Sequence, residues 1–306
     1  MPKTFSKKIK YRFWDFLANL LLPFSVLALR ALPPKLFVPA ARVWGTLGFY
    51  LIKRYRQRVL SNLSLAFAGE KDIKEMTKLA REAFFNFTLT PLETIYTAAV
   101  PLSMKGIEII GREYLDAALA KGNGVIALGS HMGAFTIVGP RLAIEGYPSN
   151  IIINVGNFPK IWKRLEYYQR RLGQRPFPPK PAAASIKKSL NCLRRNEILY
   201  LIADEQQIIG GIPVLFFGRT AYTPPGPAIF SLRTGAPILP MFIARERGTP
   251  KTLFIEHPVE IERTFDERKD MELLTAKLTN AIEHSIRQYP EQWPLLNLRW
   301  KQRYQK

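Results

Sequence analysis

Apolar positions along the chain follow two alternating patterns. Short unbroken apolar runs, bounded by glycine, asparagine or aspartate, read as strands buried on both faces. They are Val125 to Leu128, Asn150 to Val155, Glu197 to Ala203 and Pro237 to Phe242, with Lys105 to Ile110 as a shorter one. Between them lie stretches with helical spacing. Lys71 to Val100 puts Met76, Leu79, Ala83 and Phe84 on one face, with Pro91 expected to kink or end that helix. Tyr114 to Ala120 stops at the turn Lys121-Gly122-Asn123-Gly124, and a helix through Leu142 stops at Gly146. Lys160 to Leu172 and Ser185 to Arg195 are basic helices, separated by a proline-rich loop from Pro176 to Pro181. Prolines 224, 225 and 227 open a further helix that Gly235 ends. Strands alternating with helices of this length predict an α/β fold with a mostly parallel central sheet flanked by helices.

The pattern centres on Val125 to Pro140, VIALGSHMGAFTIVGP. A buried strand runs into Gly129-Ser130, His131 follows at once, and a second apolar segment starts a helix. A histidine at the carboxyl end of a strand lies where α/β sheets place their chemistry. The chain has three histidines, so a general base near neutral pH has few candidates. His257 reads as a strand-end surface residue and His284 as a structural or solvated residue on the last helix. The neighbourhood of His131 lacks cysteine, a second histidine and paired carboxylates, so no metal is expected there.

Composition alters this picture at one end of the chain. The surplus of 45 Lys and Arg over 24 Asp and Glu gives a formal charge of +21, which calls for an acidic partner. The basic residues are spread along the chain with no helix-turn-helix, zinc-finger or RNA-recognition signature, which argues against nucleic acid. The first residues favour a membrane instead. Lys3, Lys7, Lys8, Lys10 and Arg12 precede Phe13, Trp14 and the apolar stretch Phe16 to Leu29. That stretch is short against the ~20 residues of a spanning helix, and Asn19 and Pro23 interrupt it. A second apolar stretch, Val43 to Ile52, ends at Lys53. Basic flanks and aromatic residues beside apolar segments predict a helical anchor over 1–53 that lies on or dips into an anionic membrane from its cytoplasmic face. The remaining 54–306 is expected to form one domain. The single cysteine, Cys192, excludes an intramolecular disulfide.

A third informative stretch is Asp204 to Phe242, DEQQIIGGIPVLFFGRTAYTPPGPAIFSLRTGAPILPMF. A strand ends in acidic and amide side chains, and glycines such as Gly226 let backbone approach a ligand closely. Arg219 beside such a loop is a candidate for holding a phosphate or carboxylate.

These blocks carry a resemblance. RVLSNLSLAF from Arg58, GSHMGAF, the DEQ block at Asp204, IPVLFFGRT, TPPGPAIFSLRTGAPILP and YPEQWPLLNLRWK occur in the order seen in bacterial lipid A biosynthesis acyltransferases. The chain resembles that family, within the wider lysophospholipid acyltransferase-like superfamily, over nearly its whole length. The resemblance implies a glycerolipid acyltransferase-like fold on the inner membrane and transfer of a fatty acyl group. The donor would be acyl carrier protein or acyl coenzyme A, acting as co-substrate with no cofactor. The acceptor would be a hydroxyl of a lipid A precursor or a related phospholipid or glycolipid. It also implies His131 as general base, and an arginine in the region of Arg171 and Arg175, with Arg175, Arg219 and Gly226 as candidate substrate contacts.

One position departs from the family pattern of histidine, four residues, then Asp or Glu: the fifth residue after His131 is Thr136. Threonine supplies no charge to a forming imidazolium. Three readings stay open on the sequence alone. Asp204 supports His131 from another strand end, with Glu205 and Glu145 as weaker substitutes; or His131 works slowly alone; or the chain only binds lipid or carrier protein.

Overall fold

The computed structural model describes residues 33–154, 159–264, 266–294 and 296–300, with isolated positions 24, 26–28 and 31, and excludes the side chain of Ile161. The basic run Lys3 to Arg12, and most of the apolar stretch Phe16 to Leu29, lie outside the described residues.

The described residues form a seven-stranded sheet in the order β1-β9-β8-β2-β5-β3-β4. The strands are β1 Glu108–Ile110, β2 Val125–Gly129, β3 Ser149–Ile152, β4 Gln174–Phe177, β5 Ile198–Ile202, β8 Ile238–Glu246 and β9 Thr249–Ile255. Each neighbouring pair is parallel except β8 and β9, which form an antiparallel hairpin. Strands β6 Ile212–Phe216 and β7 Arg219–Thr223 form a separate hairpin.

The centre of the sheet is β2, and every residue of it is buried. Its two faces feed two cores. Ile126 and Leu128 pack with Leu193, Phe230, Leu274, Leu278 and Ile282. Val125 and Ala127 pack with Leu115, Ala118, Val138 and Leu142. Helices α4 Arg112–Leu119 and α5 Val138–Ile144 thus cover one face, and α7 Ala182–Arg194, α8 Gly226–Thr234 and α9 Glu267–Gln288 cover the other. This two-sided burial is why β2 reads as an unbroken apolar run and not as an alternating one.

Among the described residues, helices α1 Phe37–Leu51, α2 Lys53–Ala66 and α3 Ile73–Ala99 precede the sheet. A capping box starts α3, with Asp72 Oδ1 accepting from the Glu75 amide at 2.8 Å and Glu75 Oε2 accepting from the Asp72 amide at 2.9 Å. Of the two outcomes expected at Pro91, the helix does not end there; α3 runs through it to Ala99, close to the expected Lys71 to Val100. The hydrogen bond that Pro91 removes is outweighed by packing on both sides of α3. Gly45 of α1 lies so close that a Cβ there would meet Phe85 Cα at 2.8 Å, and Phe37, Ala41, Phe85 and Leu89 share one core.

One expectation changes. Part of the proline-rich segment expected as a loop is edge strand β4, which includes Pro176. Strand β4 pairs with β3 alone, so the missing proline amide faces no second ladder. Helix α6, Pro159–Arg171, joins β3 to β4.

Candidate active site

The chain leaves β2 towards β3 on one side and leaves β5 towards β8 on the other. The two connections leave to opposite faces of the sheet, through α5 and α8, and so open a crevice at the carboxyl ends of β2 and β5. His131 follows β2 and Asp204 follows β5, so both enter this crevice. His131 Nδ1 lies 2.8 Å from Asp204 Oδ1, and the His131 amide donates to Asp204 Oδ2 at 3.0 Å. The indole N–H of Trp293 donates to the same Oδ2 at 3.0 Å. Asp204 is fully buried, and this donor set is what lets a carboxylate sit there without water.

The carboxylate accepts, so the neutral imidazole carries its proton on Nδ1 and leaves Nε2 as an acceptor. Burial pulls the His131 pKa down, but the Asp204 charge, their hydrogen bond and the more distant Glu205 outweigh it, and the net shift is upward from 6.5. Burial pushes Asp204 up, but the His131 charge and the bonds from His131 and Trp293 outweigh that and hold the carboxyl below its usual range. A third of the His131 side chain remains exposed, and the ring lines a cavity of about 740 Å³.

The loop after His131 is fixed from beneath. Gly133 has φ of +56°, and a Cβ there would collide with the Ile243 carbonyl, so the tight turn requires glycine. The Gly133 amide donates to the Gln292 carbonyl at 2.9 Å and the Ala134 amide to the Ile243 carbonyl at 3.0 Å. The turn that carries His131 is thereby tied to β8 and to the segment after α9.

Thr136 does not contact His131 through a hydrogen bond. Its hydroxyl lies 2.7 Å from that of Thr94 on α3, and Thr94 Oγ1 in turn donates to the Thr90 carbonyl at 2.6 Å. A hydroxyl has one proton, so Thr136 is the donor to Thr94. Thr136 lines the cavity without completing a charge pair. Replacing it by glutamate is expected to give no gain in rate, because Nδ1 is already occupied and Nε2 must stay open to substrate. Steady-state rates of Thr136→Glu above wild type would show that Asp204 leaves the imidazolium undercompensated.

The other candidates separate by position. Gly226, at the start of α8, lines the cavity with open space where a Cβ would be. Glu205 lines it too and accepts from Asn297 Nδ2 at 2.6 Å. Arg175 does not reach it. Arg175 follows the first residue of β4 and pairs at 2.7 Å with Glu197, which precedes β5, so it sits at the amino end of the strands, opposite His131. The displacement follows from β4 starting at Gln174, inside what the sequence presented as helix end and loop. Arg171, at the end of α6, approaches Tyr167 on its own helix. Arg219 turns to the Leu65 carbonyl of α2 at 3.1 Å and does not line the cavity. Glu145 is bound to Arg112 and Arg141. Phe216 and Phe217 belong to an aromatic core with Trp293 and Trp300 and not to the cavity wall.

Sequence reasoning passed over Trp293 and Thr94. Trp293 lies in the block YPEQWPLLNLRWK, and its bond to Asp204 joins residues 89 positions apart. No local pattern announces such a pair.

A family model for bacterial lipid A biosynthesis acyltransferases matches residues 4–302. The chain belongs to this family. It is 26% identical over 197 residues to a phosphatidylinositol mannoside acyltransferase of Mycobacterium tuberculosis, covering 62% of this chain and 58% of that protein. A second relative of that description, from Mycolicibacterium smegmatis, is 23% identical over 199 residues. A lipid A biosynthesis acyltransferase of Haemophilus influenzae is 24% identical over 262 residues, covering 82% of this chain and 78% of that protein. The chain therefore spans less than two thirds of the mycobacterial relatives it matches. Within this lipid A acyltransferase family member, the carboxylate against the histidine comes from Asp204, 73 positions away, and not from the position occupied by Thr136.

Proposed function

We propose that the protein is an O-acyltransferase that moves a fatty acyl group from a thioester to a hydroxyl of a membrane glycolipid or phospholipid. The observation that carries this reading is the His131–Asp204 pair, with Nε2 open to a 740 Å³ cavity. His131 Nε2 takes the proton of the acceptor hydroxyl as the oxygen attacks the thioester carbonyl carbon. Asp204 holds the tautomer and stabilises the imidazolium that forms. The tetrahedral intermediate collapses with cleavage of the C–S bond, and the imidazolium returns the proton to the departing thiolate. Ester and free thiol are the products. Because a buried carboxylate already serves His131, Thr136 is no argument for a protein that only binds lipid.

The donor is acyl carrier protein or acyl coenzyme A, and the acceptor a lipid A precursor or a related lipid. The basic half of α6 that holds Lys160, Lys163 and Arg164 precedes Leu165 and Gln169, which line the cavity, so an acidic donor docked there would stand near His131. Incubation of the purified protein with each thioester and total membrane lipids is expected to release thiol and add one acyl mass to one lipid class by mass spectrometry. The active form of His131 is neutral and its pKa is raised, so kcat/KM should fall as pH drops through a value above 6.5. Absence of thiol release with every acceptor would overturn the reading.

The site of action is the cytoplasmic face of the inner membrane, with 1–53 as the anchoring segment and 54–306 as the catalytic domain. Among the described residues no helix is long and apolar enough to cross a membrane. The support is an outward apolar face on α1, where Val43, Trp44, Leu47, Tyr50 and Leu51 are exposed, followed by Lys53, Arg54 and Arg56. Such a face suits interfacial docking on anionic lipid. Leu47→Glu with Leu51→Glu should weaken co-flotation with anionic vesicles; unchanged flotation would place the contact elsewhere.

A further inference from the structure

A second cavity, of about 290 Å³, lies across α3 from the His131 cavity. Its walls are Phe37 and Val38 of α1, Leu89 and Tyr96 of α3, and Met104 and Ile137. The two cavities share no lining residue. They meet at one seam, where Thr94 and Thr136 face His131 and their chain neighbours Glu93 and Ile137 face the second cavity. The Thr94–Thr136 hydrogen bond at 2.7 Å closes this seam.

The second cavity is apolar in effect. Its one acidic wall residue, Glu93, is fully engaged by Arg245 at 2.6 and 2.8 Å, so the one charge left for a ligand is that of Lys35 at the mouth. An apolar cavity of ~150 Å³ holds one benzene, so this one has room for a chain of roughly ten to twelve carbons. Its mouth is formed by Pro34, Lys35 and Ser103, all exposed. Lys35 stands immediately before α1, whose outer face is the apolar surface described above.

We propose that this cavity holds one alkyl chain of an anionic membrane lipid, entering past Lys35, with the ammonium on the lipid phosphate. The chain would fix the protein to the bilayer at the root of α1, apart from the acyl group undergoing transfer. The proposal goes beyond the acyltransferase reading and stands whether or not His131 is a base.

The test uses the full-length protein and single-chain alkyl phosphates from hexyl to tetradecyl, each below its micelle concentration. Binding should tighten about fourfold per methylene and level off near dodecyl, where the cavity is full. Ser103→Trp, at the mouth, should remove the chain-length dependence while thermal stability holds. Lys35→Glu should weaken every member by a similar factor, and an alkyl alcohol series should show the length dependence at lower affinity. His131→Ala and Gly226→Trp, which alter only the other cavity, should change nothing. Loss of binding in Gly226→Trp with none in Ser103→Trp would place the chain in the His131 cavity. An affinity independent of chain length would reduce Lys35 to a surface charge. Either result overturns the proposal.

Discussion

Asp204→Asn is expected to lower kcat/KM by about four orders of magnitude while the protein stays folded, the scale seen for a neutral isostere in serine-protease triads. The reason lies in the donors around the carboxylate. Oδ2 receives two N–H groups, from the His131 backbone and Trp293, and Oδ1 receives the ring Nδ1. Asparagine has a single oxygen. Turned to the two N–H groups, it points its amide nitrogen at Nδ1, which must then accept; the ring proton moves to Nε2, the atom that has to take the substrate proton. Turned the other way, it sets an amide N–H₂ against two buried N–H groups, at a cost of about 1–3 kcal/mol for each unsatisfied donor. The wrong tautomer is therefore the more stable arrangement. His131→Ala should cost at least as much, and the double variant little more than His131→Ala alone, because the two act as one unit. Steady-state rates of the three variants decide this. A folded Asp204→Asn within about tenfold of wild type would mean that the carboxylate does not set the tautomer.

How far the site was legible follows from where its determinants lie along the chain. The strand Val125 to Leu128, the turn and His131 are contiguous, and a run buried on both faces leaves an unmistakable pattern. Asp204 was reachable because it too ends an apolar run, and strand ends converge in a parallel sheet. Its rank over Glu205 and Glu145 rested on that strand-end position, but the contacts that decide the matter were not legible. Only the three-dimensional pairing gives Glu145 to Arg112 and Arg141 and Glu205 to Asn297. Arg175 was misplaced for a related reason. Proline argued for a loop at 176, whereas an edge strand tolerates it, and starting β4 at Gln174 sends Arg175 to the far end of the sheet. At Pro91 the sequence left a kink and a helix end both open, and α3 continues through it because packing on either side holds the helix.

The buried pair Glu93–Arg245 sets the largest stability effect expected outside the pair at the catalytic turn. Arg245 lies on β8 with its side chain 1% exposed, against 7% for Glu93. Its guanidinium also donates to Thr90 Oγ1 at 2.9 Å and to Asn86 Oδ1 at 3.2 Å, so three side chains close around one charge. Glu93→Ala would leave that charge buried and uncompensated, and removal of one partner of such a pair costs about 3–5 kcal/mol. Glu93→Leu combined with Arg245→Met removes both charges and should recover most of the loss, since well-packed apolar replacements of buried pairs are often neutral. Urea midpoints at constant m-value give the comparison. The strain also reaches the chemistry. Arg245 exchanges two hydrogen bonds with the Gln292 side chain through its own backbone, at 2.9 Å each. Gln292 in turn holds the Gly133 amide through its carbonyl and precedes Trp293, the donor to Asp204. The folded fraction of Glu93→Ala should therefore also turn over more slowly, with its acid limb shifted as the Asp204 contacts loosen. A loss below about 1 kcal/mol, within the ordinary range of surface substitutions, would mean that water reaches the guanidinium and that α3 and β8 are joined by packing alone.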